Sequence, residues 1–525
     1  MRTEDRLSRT SRAAAAMGAV LWLLPGSTPA SAQPYVPSGR IDPARVNVLS
    51  AADAERSAGL SLAFPVSHLK PEVVGWTRGD QSLRWTIDVP EADVYAVNVL
   101  IGQTTGPALD LQVSAGTATV TSPFGPDPRG SYSRSPIDRP LPLVQGRSSV
   151  TLRVAPHGRD QPFAVEVLAV ELVRPSVRDA LHAEAMALRA DARWMARTRY
   201  GVMFHWTKRT APRSGPPRSY ADAAEAFDVD RFAGEVASTG AGFVVLTTAH
   251  SDQYLPAPIH ALDRVLPGRT ARRDLIADLI AALGKRGIRL VLYYHLGPIE
   301  DPEWARATGL WETDSRRLFD NWQAIVGEVG ERYGETLAGW WFDDGIYNYY
   351  YRSPDWAALD RAAKRGSPGR VVCFNSWKST SATEFQDFTC GEELVPDGAN
   401  AFLNRDGSFS GTLVAGGDGR ITAGAFEGLQ AAATFTMESD WVHLEPDTEA
   451  APPKRSPREM ADLVRQLHRY GVTPIINMII YQDGQIAPRS LASLRETRAL
   501  LDRDEPEGPA ALTGTRGARV PGGGR

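Results

Sequence analysis

Between about residue 46 and residue 174, apolar residues recur at every second position in short runs broken by turn-forming residues. Leu83-Arg-Trp-Thr-Ile-Asp-Val89 alternates, Val94–Ile101 follows after Pro90-Glu-Ala-Asp93, and Leu109–Val113, Ser149–Val154 and Ala164–Leu172 complete the set. Such spacing without helical intervals predicts an antiparallel β-sandwich. Beyond Pro175 the period changes. Leu181, Ala185, Leu188, Ala192 and Met195 follow helical spacing over Ala180–Thr198. The chain then alternates strands with helices. Strands are predicted at Gly201–Trp206, Gly242–Thr248, Arg289–His295, Gly339–Asp343 and Arg370–Ser376. Weaker ones follow at Phe385–Cys390 and Ala433–Met437, and the last at Thr473–Ile479. Amphipathic helices are predicted between them at Asp274–Arg286, Ser315–Tyr333 and Ser456–Tyr470. Eight such strands with mostly helical intervals predict a (β/α)8 TIM-like barrel preceded by the sandwich. An open doubly wound sheet is disfavoured, because no Gly-rich phosphate-binding first turn is present.

Composition changes this picture at the termini. Arg2, Arg6, Arg9 and Arg12 precede the apolar run Ala13–Leu24, and Ala30-Ser31-Ala32 follows as a small-x-small cleavage pattern. Residues 1–32 therefore read as a signal peptide cleaved after Ala32, with a secreted or periplasmic destination. The run is too short to span a bilayer, and no later stretch is long and apolar enough to do so. Residues 33–45 read as a Pro-rich linker, 46–174 as a carbohydrate-binding-like module, 176–505 as the catalytic barrel and 506–525 as a disordered tail. With 58 Lys and Arg against 62 Asp and Glu, the net charge is −4, leaving no basic field for phosphates. Nucleic acid is excluded as a partner on that ground, and neutral substrates fit better. Two cysteines, Cys373 and Cys390, make neither a disulfide framework nor a zinc cluster. They lie in predicted strands as either one bridge or two buried thiols, with the unpaired state preferred.

Barrel enzymes carry their chemistry at the carboxyl ends of strands. Here those ends deliver His205-Trp206, His250 and Asp252, Tyr293-Tyr294-His295, Asp343-Asp344, Asn375 and Trp377, Glu392-Glu393, Glu438 and Asp440, and Asn477. Aromatic faces beside carboxylates, imidazoles and amides suit a sugar. Glycoside hydrolysis needs two carboxyl groups flanking the scissile bond. Asp343, led to the mouth by Trp340-Trp341-Phe342, is the candidate nucleophile, with a strand-end cap as the bland alternative. Glu392 and Glu393 could face it across the mouth, with Glu438 and Glu427 as rivals. His205, His250 and His295 could converge as a metal-dependent barrel requires, yet no His-x-His pair stands on one strand. No metal and no cofactor are expected.

At these residues the chain resembles the α-L-fucosidases of glycoside hydrolase family twenty-nine. Their opening phrase W…FGMFIHWG is similar to Trp194…Tyr200-Gly-Val-Met-Phe-His-Trp206. LT.KHHDGF is similar to Leu246-Thr-Thr-Ala-His-Ser-Asp-Gln-Tyr254, and G.YYS to Leu292-Tyr-Tyr-His295. WFDG, which carries the family nucleophile, matches Trp341-Phe-Asp343, and LLNI.P..DG resembles Ile475–Gly484. The resemblance implies a retaining exo-glycosidase that removes terminal L-fucose or a related sugar from oligosaccharides or glycoconjugates. It makes Asp343 the nucleophile, His205, His250 and Tyr294 binders of sugar hydroxyls, and Trp206 part of the pocket; Asp252 and Trp377 join them as substrate-binding candidates. Ala249, Ser251 and Gln253 depart from the family phrase at recognition positions. For the acid/base, one family pattern falls near Ala432 or Glu427. Another branch resembles Thr389-Cys-Gly-Glu-Glu393 and makes Glu393 the choice, with Glu392, Glu438 and Glu427 behind it. The sandwich resembles galactose-binding-like modules through Val74-Gly-Trp76 and Leu83–Tyr95. A non-catalytic sugar-binding barrel and a glycosidase of different sugar specificity are the alternatives.

Overall fold

The computed structural model describes residues 39–63, 72–103, 106–126, 132–159, 161–296, 300–310, 312, 316–343, 354–375, 383–393, 395, 419–421 and 427–503. The signal-peptide reading, the disordered tail and Trp377 lie outside these residues. Among them, no helix is long and apolar enough to cross a membrane.

The N-terminal strands form two antiparallel sheets. One runs in the order Glu55–Arg56, Ser82–Val89, Gly146–Pro156, Leu109–Ala115, Ala118–Phe124. The other is built around Asp93–Gly102 and Glu166–Val173, flanked by five shorter strands. Alternation explains the packing: Leu83, Trp85, Ile87 and Val89 point inward from one sheet, Tyr95, Val97, Val99 and Ile101 from the other, and all join one core. Two ladder residues break this parity. A bulge between Val167 and Ala169 turns both Leu168 and Ala169 outward, where they join Leu100 in the apolar cluster of the α/β part.

The predicted helix Ala180–Thr198 is in fact two, Pro175–Leu188 and Arg193–Ala196. Between them the Ala190 amide turns away to donate to the buried carboxylate of Asp387, at 2.6 Å. Seven parallel strands then follow: β1 (Gly201–His205), β2 (Phe243–Ala249), β3 (Arg289–His295), β4 (Leu337–Asp343), β5 (Val371–Phe374), β6 (Ala432–Thr436) and β7 (Thr473–Asn477). Their order, β5-β4-β3-β2-β1-β7-β6, makes a curled parallel sheet within a mixed α/β fold. Apart from Arg289 and Ala338 its strand residues are buried, as expected of a sheet covered on both faces. Val202, Phe204, Tyr294, Trp340 and Phe342 face outward to the helices. Met203, Val245, Tyr293, Trp341, Cys373 and Ile475 fill the inner face. Asp228, Asp274 and Asp301 cap the helices that follow, and Ser456 with Glu459 forms a reciprocal capping box.

The predicted strand Phe385–Cys390 is not a regular strand. It bridges only at Phe388, opposite Gln430. Side chains take over its ladder: Asp387 Oδ2 accepts the Val372 amide at 2.8 Å, while Thr389 Oγ1 accepts from Ala432 N and donates to Ala432 O. Backbone bonds Asp387 N to Val372 O and Thr389 N to Gln430 O leave the segment between β5 and the approach to β6. Cys373 and Cys390 form a disulfide, contrary to the preference for free thiols.

Candidate active site

The inner parity of each strand ends in a polar residue. β1 ends in His205, β3 in Tyr293 and His295, β4 in Asp343 and β7 in Asn477, and Asn375 follows directly on β5. His295 pairs with Asp343 in the register of β3 with β4. The Asn375 amide N–H donates to Phe342 O at 2.7 Å, fixing its side chain beside the same tip.

Asp343 is almost fully buried. Tyr293 donates its hydroxyl to Oδ2, and Asn375 Nδ2 donates to Oδ1 at 2.8 Å. Burial alone would raise this carboxyl. The His295 and His250 imidazoles and the two hydrogen bonds outweigh burial and hold it below the ordinary aspartate range. The same Asn375 nitrogen donates to Glu392 Oε1 at 2.9 Å. The two carboxyl groups therefore cannot be farther apart, oxygen to oxygen, than these two bonds laid end to end. That limit sits just above the roughly 5–5.5 Å of retaining glycosidases and below the 6.5–9.5 Å of inverting ones. Glu392 behaves oppositely to Asp343: burial and the neighbouring Asp343 charge push it up to about 8, against the pull of Asn375.

His205 is held by Asn477. Asn477 Nδ2 donates to Trp441 O at 3.1 Å, so its Oδ1 faces His205 Nδ1 at 2.8 Å and that nitrogen carries the proton. Burial lowers His205 to about 4 and His295 to about 3, so both rings are neutral near pH 7. His250 lies against His205, Tyr293 and His295 at 5.9, 6.1 and 5.2 Å between ring centroids. Among the described residues, His250, His295 and Asp343 each offer one atom within 4.8 Å of the others and could hold a metal ion. A metal there would compete with Tyr293 and Asn375 for the Asp343 oxygens.

Several expected site residues are placed elsewhere. Tyr294 has outward parity, packs edge-on to Trp340 and lies in the layer beneath the helices; Tyr293 takes the inner position. Trp206 is fully buried against Tyr220 and Phe227 and donates to Gln482 O. Asp252 is held by Arg209 at 2.6 Å. Glu393 turns to β6, accepting from Thr436 N and Oγ1 and pairing with Lys454. Glu438 is fully buried and accepts the Ile479 amide. Glu427 lines a cavity of about 540 Å³ with Arg189, Arg193 and Arg420, among residues that precede β1 and β6. Tyr293 and Asn375 stand among the strand-end residues without a role assigned to either, and Trp441 had none. Period-two parity with His295 would have chosen Tyr293, and Asn375 stands at a predicted strand end; nothing local distinguishes Trp441.

An ionised and a protonated carboxylic acid, bridged by one amide and set beside the neutral imidazoles of His205 and His295, are the equipment of a glycoside hydrolase. Residues 182–406, which include Asp343, Asn375 and Glu392, match the family model described as alpha-L-fucosidase. Over those residues the chain carries an alpha-L-fucosidase family domain. It is also similar to an alpha-L-fucosidase from Lactobacillus casei in complex with alpha-L-fucose product. The identity is 16%, covering 59% of this chain and 97% of that one, with a TM-score of 0.40. A family twenty-nine alpha-L-fucosidase from Bacteroides thetaiotaomicron is 18% identical, covering 60% and 74%, with a TM-score of 0.39. Likenesses at that level say nothing of the chemistry. No curated protein matches the chain.

Proposed function

We propose that this protein is an exported, retaining exo-glycosidase that removes terminal L-fucose or a closely related sugar from glycans. The observation that carries the reading is the shared amide of Asn375, which keeps the Asp343 and Glu392 carboxyl groups closer together than an inverting mechanism requires. Asp343, ionised, attacks the anomeric carbon, the glycosidic C–O bond breaks, and Glu392 gives its proton to the departing oxygen. Glu392 then takes a proton from water, whose oxygen displaces Asp343 and releases the free sugar. Tyr293 and Asn375 orient the nucleophile. His205 offers Nε2 as an acceptor to a sugar hydroxyl, His250 and His295 face the same sugar, and Trp441 supplies an apolar face beside His205.

This assignment moves the acid/base from Glu393 to Glu392, for which geometry and protonation agree. We place the segment 385–390 in the sixth position of a closed (β/α)8 barrel; its bonds to Val372 and Gln430 support that reading. Domain limits of 46–174 and 176–505 are part of the proposal, as is a glycan ligand for the N-terminal module. A disulfide is a bond kept in oxidising compartments, which supports export after cleavage at Ala32.

A different sugar specificity is the second reading. It is favoured by Asp252, whose carboxylate is engaged by Arg209, and by Gln253, which is buried and donates to His295 O rather than facing substrate. Aryl glycosides of L-fucose and its stereoisomers, assayed beside Asp343→Asn, decide the matter. Turnover of the L-fucoside that Asp343→Asn lowers by at least about a thousandfold is the expected result. Turnover of another stereoisomer alone selects the second reading, and sugar binding without turnover of any overturns both.

A further inference from the structure

Two features of the segment carrying Glu392 stand out. Cys390 is fully buried and bonded to Cys373 of β5, with their Cα atoms 5.9 Å apart. Two residues further along each chain, on the same inner face, come Glu392 and Asn375, which bond to each other at 2.9 Å. The disulfide thus stands two residues before that contact on both segments. On the β6 side the segment has several ties, through Thr389 to Ala432 and through Glu393 to Thr436 and Lys454. On the β5 side the nearest tie below the disulfide is at Asp387, three residues before Cys390. Past Cys390 the backbone leaves extended geometry: Gly391 has φ 154° and Glu393, a non-glycine residue, φ 51°. Left-handed backbone at a residue with a Cβ holds only where the surroundings over-determine it. Among the described residues, the disulfide is the covalent tie nearest the Asn375–Glu392 contact.

We propose that the Cys373–Cys390 disulfide is a positioning element for the acid/base: it sets the distance between the chains bearing Asn375 and Glu392, and through Asn375 the distance from Glu392 to Asp343. The bond acts on the chemical step and not only on stability. This inference rests on Glu392 being the acid/base. Without the bridge, ties to β6 draw the segment away from β5. Glu392 then leaves the neighbourhood of Asp343, proton donation to the leaving group weakens, and the carboxyl becomes easier to ionise.

The test compares Cys373→Ala/Cys390→Ala and Cys373→Val/Cys390→Ala, the second refilling the core, with wild type and Glu392→Gln. Each is assayed on an activated aryl glycoside and on a disaccharide with a poor leaving group. In a folded cysteine variant, kcat on the disaccharide should fall about ten- to a hundredfold with KM little changed. The aryl glycoside should lose no more than about threefold, because an activated leaving group needs little protonation. The alkaline limb of the rate profile should move to lower pH. Equal losses on both substrates, or an unmoved alkaline limb, overturn the proposal. Failure of both cysteine variants to fold also overturns it, since the bridge would then be a folding staple. If Glu392→Gln itself leaves both substrates and the alkaline limb unchanged, the acid/base assignment has failed. If Glu392→Gln shows the acid/base signature and the folded cysteine variants do not, only the positioning role has.

Discussion

At the scale of single residues, the site separates two chemically similar side chains by environment. Asp343 receives hydrogen bonds on both oxygens, whereas Glu392 is buried beside the negative charge of Asp343. The pH profile follows. Glu392 must be protonated to assist the leaving group, so kcat/KM should fall as pH rises through about 8, where this carboxyl ionises. A pH–rate series beside Glu392→Gln checks it: the alkaline limb should vanish in that variant. Tyr293 acts from the other side. Its hydroxyl favours ionised Asp343, so Tyr293→Phe should raise the nucleophile's pKa, shift the acidic limb to higher pH and lower kcat about tenfold. An unchanged acidic limb would sink this role. These contacts were only partly legible beforehand. Asp343 ends an apolar strand, which the sequence displays. Glu392 and Glu393 are neighbours of one residue type in an irregular turn, where no period tells which faces inward.

At the scale of elements, the ends of β4 and β5 are held by a buried cation. Arg370, one residue before β5, uses all five N–H donors on main-chain carbonyls of Gly330, Gly334, Leu337, Ala363 and Arg365. Burial lowers it only to about 10, so it stays charged at neutral pH. It gathers the helix Arg316–Tyr333, the start of β4 and the helix Trp356–Ala363 around one group. Arg370→Met should strand these acceptors and cost on the order of 3–5 kcal/mol. Urea denaturation measures it, and a loss below about 1 kcal/mol would show the site hydrates instead. Helix and strand positions here were largely readable, because apolar period and capping residues are local signals. Segment 385–390 was not, because Asp387 and Thr389 replace backbone ladder bonds with side-chain ones.

At the scale of the whole molecule, the bulge at Val167 to Ala169 couples the antiparallel sheets to the α/β part by sending two consecutive apolar residues outward. Leu168→Asp would place a charge in that shared apolar layer. It should lower stability by about 3 kcal/mol or more and split a single thermal transition into two, as differential scanning calorimetry would record. A single unaltered transition would mean that the two parts do not depend on this contact.

The order of the seven regular parallel strands, the switch from alternating to helical period near Pro175, and a carboxylate at the tip of β4 were determined by the sequence alone. Each rests on neighbours within a few positions, where sterics and burial period act directly. Only the tertiary structure decided that Cys373 meets Cys390, that Tyr293 and not Tyr294 faces the site, that Trp206 is enclosed, and that Glu392 rather than Glu393 stands beside Asp343. Those outcomes depend on the register and twist of segments far apart in sequence. Side-chain direction in an irregular turn has no periodic signature, and it is settled by the packing around it.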